Sequence, residues 1–313
     1  MTAYIIRRLL LAIPTVIGVC IITFSLFYVI VSPDTMARHN LSSKNPSPGQ
    51  IKAWKIAHGY DKPPAQQFLG FMKQLLLFNF GSSDSDKEPV ADKIRNGMGP
   101  SLKLAIPEFI VSLIASISFS LMLAYYRGTY LDVWGTFLCV VLMSVPFLLY
   151  FIAGQVIFGK FLCVAPMMGY APGLAGMRFV LLPAFIALVS GLGGSIRFYR
   201  TIMLEEMMAD YARTARAKGV SEVGVLFRHI LKNAMIPVLT SVVMSIPFLV
   251  LGSLLLEPYF GIPGLGTITL DAINATDFAV LRVMVYIGSL LYIVGAILTD
   301  ISYTLVDPRV RLG

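Results

Sequence analysis

The sequence is poor in the side chains that do chemistry: its 313 residues include three cysteines and three histidines, and Asp, Glu, Lys and Arg together make up only 13%. Cys20, Cys139 and Cys163 are odd in number and lack metal-like spacing, so they read as packing residues rather than ligands or a disulfide framework. No Gly-rich phosphate loop ending in Gly-Lys-Ser/Thr occurs, so the chain has no means of hydrolysing ATP by itself. A His-Glu-x-x-His pair and paired intramembrane aspartates are missing too, which argues against an intramembrane protease. Glu108 is the one acid well inside an apolar run, with Asp300 nearer the end of the last run. An ion-coupled carrier needs a fuller relay of ionisable groups near mid-membrane.

What the chain has in abundance is apolar surface, 57% of residues with a mean hydropathy of +0.77. That composition belongs in a membrane. Runs near 9–31, 101–126, 132–158, 177–196, 235–256 and 281–305 each suit a helix of about 20 residues crossing a hydrocarbon core of about 30 Å. The expected fold is therefore all-α with six spans. Pro14, Pro107, Pro146, Pro183 and Pro247 fall within these runs and predict kinks, which neighbouring helices can accommodate. The first run follows Arg7 and Arg8 but lacks a small-x-small cleavage site, so it reads as a retained anchor.

Basic residues in short loops set the orientation. Arg127 in the 127–131 loop, and Arg197, Arg200, Arg213, Arg216, Lys218, Arg228 and Lys232 in the 197–234 loop, place both in the cytoplasm. The 159–176 loop has only Lys160 and the 257–280 loop has none, so both termini, with Arg7, Arg8, Arg309 and Arg311, are expected inside. The net charge of +8 is then a matter of topology and not a nucleic-acid surface. The 33–100 segment falls outside. Within it, Ser47-Pro48-Gly49-Gln50 has the form of a capping box that opens a helix stopped at Gly59. After Pro63-Pro64, the spacing of Phe68, Phe71, Met72, Leu75 and Leu76 predicts a second helix whose apolar face rests on the bundle or the headgroups. Gly81 through Asp86 reads as a flexible turn. With only His39 and His58 as candidate bases, the segment looks like a cap and not a catalytic domain.

The 197–234 loop carries Arg213-Thr214-Ala215-Arg216-Ala217-Lys218-Gly219, then Phe227-Arg228-His229 and Asn233-Ala234-Met235-Ile236-Pro237. Residues 203–218 have a helical pattern, Gly219 offers a left-handed stop, and Ser221 can cap a second helix through Leu231. Small Ala212, Ala215 and Ala217 would let another backbone come close, which favours a protein groove as neighbour; a basic helix on anionic lipid is the alternative.

This loop resembles the cytoplasmic signature of ABC-importer permeases, and in particular the B-type permease of dipeptide and oligopeptide importers. The general importer pattern is Glu-Ala-Ala, three residues, Gly, then about nine residues and Ile-x-Leu-Pro. Here Arg213, Thr214 and Ala215 stand first, Gly219 is kept, Lys232 replaces the expected proline, and Pro237 follows five residues later, which is the peptide-permease variant. Further likeness covers nearly the whole chain: Ile6 to Leu10, Asn79-Phe80-Gly81, Pro89-Val90, Pro166 and Gly169, Glu257 and Phe260 with Pro263-Gly264-Leu265-Gly266, Asp277, Asp300, Tyr303 and Asp307-Pro308-Arg309. Where the family commonly has Thr-Leu-Glu-Leu, this chain has Ser101-Leu102-Lys103-Leu104.

The resemblance implies a type I ABC-importer permease fold in the bacterial inner membrane, a single transmembrane domain over 1–313 with a cytoplasmic coupling helix. It implies that Asp210, Ala212, Arg213, Ala215, Arg216, Ala217, Lys218 and Gly219 couple to an ATPase. It implies an extracytoplasmic gate from Glu257, Phe260, Pro263, Gly264, Leu265, Gly266 and Asp277, against the plainer reading of a Gly-Pro turn whose Phe260, Ile262 and Leu265 dip into the interface; Glu108 is the candidate for the substrate path. The implied partners are a second permease, two ATPases holding ATP and Mg, and an extracytoplasmic solute-binding protein, with no cofactor in this chain. An ion-coupled peptide carrier and a channel or scaffold that docks a cytosolic partner through the basic loop are the competing readings.

Overall fold

A computed structural model describes residues 2–30, 32–41 and 46–306, so the expectations on Asp307-Pro308-Arg309 lie outside the described residues. The described chain is helical apart from an isolated bridge between Ser82 and Pro89. Helix α1 (Thr2–Phe24) continues as a π-helical turn over Ser25–Ile30, and α2 (Pro33–Asn40), α3 (Pro48–Ala57) and α4 (Pro64–Leu76) form the outer segment. Then come α5 (Val90–Tyr125), α6 (Tyr130–Ser144), α7 (Phe147–Gly154, extended by a π turn over Gln155–Phe161) and α8 (Met177–Met208). The chain closes with α9 (Asp210–Ala217), α10 (Glu222–Val225), α11 (Leu231–Leu251), α12 (Leu256–Phe260), α13 (Leu265–Asn274) and α14 (Phe278–Val306).

Five stretches are long and apolar enough to cross a membrane: Ile6–Tyr28, Val90–Tyr125, Met177–Met208, Glu222–Leu251 and Phe278–Ser302. The sixth expected span, 132–158, is broken; α6 and α7 meet at 91° across Val145-Pro146. Pro146 has no N–H to give the carbonyl of Leu142, and its ring clashes with that turn. The Tyr150 hydroxyl takes over, donating to the Leu142 oxygen at 2.7 Å. Pro14, Pro107, Pro183 and Pro247 stay inside unbroken helices, so of the five prolines only Pro146 makes a break.

Helix α8 packs along α5 and α6, α14 along α11 and α1, and α11 against α5. Glycine permits the closest crossings: a Cβ on Gly193 of α8 would collide with the Cys139 carbonyl of α6, and one on Gly135 would collide with Leu123 of α5. Such small residues are how helices approach in lipid, where hydrophobicity alone gives no preference for protein over acyl chain. Two ion pairs fix the bundle further. Arg200 of α8 forks onto Asp132 of α6 with two bonds of 2.8 Å, and Arg8 of α1 meets Asp300 of α14 at 3.1 Å.

The outer segment follows its expected pattern closely. Ser47 and Gln50 close the capping box in both directions, at 2.8 and 3.3 Å, and Gly59 is left-handed at φ 73°. Phe71 and Leu75 of α4 bury against Cys20, Phe24 and Tyr286, so this helix rests on the bundle. Gly81 to Asp86 departs from the flexible turn expected of it: Ser83 is 1% exposed and its N–H donates to Glu88 at 2.8 Å.

Candidate functional site

The basic loop is a compact joint between α8 and the α10–α11 run. Helix α8 ends at Met208 because Ala209 turns extended at ψ 149°, so the helix expected over 203–218 is two helices. Gly219, at φ 78°, turns the chain after α9, and the Ser221 hydroxyl accepts from Gly224 N–H to start α10. The second helix does not stop at Leu231; it passes through a π turn into α11 and runs to Leu251, through Pro237 and Pro247.

Side chains of α9 divide by face. Ala212 is fully buried and Ala215 is 5% exposed, packed with Leu121, Tyr199, Met203, Val225 and Ile230 of the same chain. The expectation that these small residues face a partner's groove is thereby corrected: their size lets α9 lie close on α5, α8 and α10. Asp210, Arg213, Thr214, Ala217 and Lys218 are exposed, and the Arg213 side chain is 71% open. Arg216 is an internal staple. Its Nε donates to Glu222 at 3.0 Å and its Nη1 to the Met207 carbonyl at 3.3 Å, joining the end of α8 to the start of α10. The Tyr211 hydroxyl donates to Glu206, and burial and this bond push the phenol up to about 12.

At the other end of the bundle, Glu257 of α12 is 1% exposed and meets donors only. The Ser101 hydroxyl of α5 donates to it at 2.7 Å, Gly266 N–H at 2.8 Å, Ser253 N–H at 3.2 Å and Thr267 N–H at 3.4 Å. Ser101 Oγ in turn accepts from Leu265 N–H at 2.8 Å, which fixes the direction of its own proton. Burial pushes the Glu257 carboxyl above its ordinary value and the four donors pull against that push. A Cβ on Gly264 or Gly266 would overlap the carboxylate, so the Pro263-Gly264-Leu265-Gly266 turn is built around one buried acid.

Phe260 and Leu265 are each 1% exposed and Ile262 is fully buried, in two clusters shared with α5, α7, α8 and α14. The plainer reading, in which they dip into the membrane interface, does not hold, because the Glu257 knot folds the turn inward and buries them in the protein. Asp277 caps α14 through Val280 N–H at 3.1 Å and also accepts from the Ser83 and Ser85 hydroxyls and Asp84 N–H. Burial pushes the Asp277 carboxyl up, but Ser83, Val280, Asp84 and Ser85 together hold it below its ordinary value. This acid ties the outer segment to the last span. Sequence reasoning missed Ser83, Ser85 and Ser101, since a lone serine gives no signal until its partner is known. Glu108 is half-buried on α5 and forms no hydrogen bond or ion pair among the described residues.

Residues 116–312 match the family described as binding-protein-dependent transport system inner membrane component, and residues 1–105 match its N-terminal counterpart. A Brucella abortus protein named for a peptide transport system permease is 33% identical over 316 residues, 99% of each chain. The oligopeptide transport system permease protein AppB of Bacillus subtilis is 30% identical over 325 residues, covering 99% of this chain and 100% of its own. The glutathione transport system permease protein GsiC of Salmonella typhimurium is 31% identical over 314 residues, 99% of each.

Proposed function

This chain belongs to the family of binding-protein-dependent transport system inner membrane components, and from that premise we infer how its two built elements serve transport. It is a multi-pass permease subunit of an ABC importer, a class that works with ATPase and substrate-binding partners. The cargo proposed for it is a short peptide or a solute of similar size and polarity. Two ATPases, which hold ATP and Mg, a second permease and an extracytoplasmic binding protein complete the assembly. Both termini and the α9 loop face the cytoplasm.

One observation carries the coupling role: α9 presents Asp210, Arg213, Thr214, Ala217 and Lys218 outward while Ala212, Ala215 and Arg216 lock its other side to α5, α8 and α10. A helix anchored in this way moves as one body with two spans, so a rotation of a docked ATPase reaches the bundle. At the outer end, the Glu257 knot holds the gate turn, and its residues act by shaping the passage instead of touching a partner directly. Glu108 stands as a contact along the path.

The test is uptake by proteoliposomes that hold the importer with its ATPases inside and its binding protein outside. ATP-dependent accumulation of dipeptides, oligopeptides or glutathione is expected, together with persistence when an uncoupler is added at constant ATP. Accumulation driven by an ion gradient alone would overturn the reading in favour of a coupled carrier. Glu108→Gln is expected to change KM for the solute and leave basal ATP hydrolysis intact.

A further inference from the structure

A polar cavity of about 500 Å³ opens between the outer segment and the outer ends of α1 and α14, apart from the Glu257 turn. That volume lies within the usual range of small-molecule sites, about 300–1,000 Å³. Tyr28, Trp54, Tyr60 and Phe80 line its wall. Trp54 and Tyr60 stack at 5.6 Å with 14° between planes, and Tyr28 stands 5.1 Å from Tyr60. The Arg282 guanidinium lies over the Tyr28 ring at 5.0 Å.

Two opposite charges line the same space without closing on each other. Arg282 donates to the Phe278 carbonyl at 3.1 Å and to the Tyr28 hydroxyl, both neutral acceptors. Asp84 accepts from Ala279 N–H at 3.0 Å through Oδ2, a neutral donor. Among the described residues the two form no ion pair, although both line the cavity and each feels the other's field. Partly buried charges without ionic partners are costly, and here two of opposite sign line one cavity. Lys62 and Lys87 add positive charge at the exposed rim.

We propose that this cavity is a second small-molecule site that takes a zwitterion, the ammonium of a free amino acid or dipeptide going to Asp84 and its carboxylate to Arg282. The guanidinium offers a carboxylate its remaining N–H groups, and the Asp84 carboxylate offers the ammonium a charged acceptor. Because the recognition rests on the two charged ends, side-chain identity matters little. The site stands independently of which solute the importer carries across.

Trp54 reports directly on occupancy. The sequence has only one other tryptophan, Trp134, 65% exposed on α6, so Trp134→Phe leaves Trp54 the only tryptophan of this chain, and the same importer with Trp54→Phe gives the partners' background to subtract. The importer in lipid nanodiscs, without its binding protein, is titrated with glycylglycine and in parallel with N-acetyl-glycylglycine amide. A saturable change in Trp54 emission is expected with the free dipeptide and none with the blocked one. Asp84→Asn and Arg282→Gln should each weaken the response by about tenfold or more, the loss of one charge-assisted contact. Should Arg282→Gln fold poorly, the dipeptide comparison and Asp84→Asn, which keeps the bond from Ala279, decide the matter. No saturable response, or an equal response to the blocked dipeptide, overturns the site. Peptide uptake without a Trp54 response overturns the site and leaves the cargo reading standing; a Trp54 response without peptide uptake upholds the site and removes that reading.

Discussion

Glu257 is surrounded by a hydroxyl and three N–H groups, all donors, and that arrangement holds its ionised form. A protonated carboxyl, or an amide, would turn a hydrogen toward a backbone N–H that cannot accept it, or would force the Ser101 hydroxyl to give up its role as donor. Glu257→Gln is expected to lower stability by about 2–3 kcal/mol, the scale of a hydrogen bond to a charged group, read as a drop in unfolding midpoint in detergent. Gly264→Ala should do at least as much because its Cβ overlaps the same carboxylate, whereas Gly194→Ala meets no atom within 4 Å and should leave the midpoint unchanged. Asp277 gives a pH dependence of definite sign. Its folded value is held below 3.8, so its contribution is complete above that pH and is lost as pH falls through the folded value. Asp84 shifts upward, chiefly by burial, and works in the opposite direction, so comparison with Asp277→Asn isolates the effect. Proteolysis of the 80–90 segment should accelerate below about pH 4 in the parent and show no such step in Asp277→Asn.

On the proposed coupling role, helix α9 separates docking from folding by face. Arg213→Glu alters an exposed side chain, so the unfolding midpoint should stay put while stimulation of ATP hydrolysis by loaded binding protein falls severalfold. Ala215→Trp does the reverse: it forces an indole among Leu121, Tyr199 and Met203 and should cost about 1–3 kcal/mol of stability through overpacking. Both outcomes are read from melting curves and ATPase assays on the same preparations. Equal destabilisation by the two variants would remove the two-faced description. The residue types and Gly219 marked this helix in the sequence. Its polar and apolar faces showed there too, Asp210, Arg213 and Thr214 against Ala212 and Ala215, but small alanines do not tell whether they pack on this chain or on a partner.

Across the whole molecule, six apolar runs were legible from composition alone, since a chain in lipid must satisfy its backbone inside helices. The break at Pro146 was not distinguishable from four prolines that leave their helices whole. Its cause is tertiary and local together: Tyr150 supplies Leu142 with the donor that Pro146 withholds, so the bend is held once made. Pro146→Ala should therefore straighten α6–α7 only partly, and Pro146→Ala with Tyr150→Phe more fully, as read by spin-label distances between positions 131 and 160. The capping box at Ser47 and the turn at Gly219 were also fixed by sequence, because those signals act within one turn of chain. What joins distant segments was decided only by the fold. Ser101 and Glu257 stand 156 positions apart and Ser83 and Asp277 stand 194, and each serine gains meaning only when packing removes water and leaves a carboxylate in need of donors. Local patterns thus determined which helices exist and the class of protein they make, while burial of Glu257 and Asp277 determined how the 263–266 turn and the 80–90 segment are held to the bundle, and packing of Ala212 and Ala215 with the Arg216 staple determined how α9 is held.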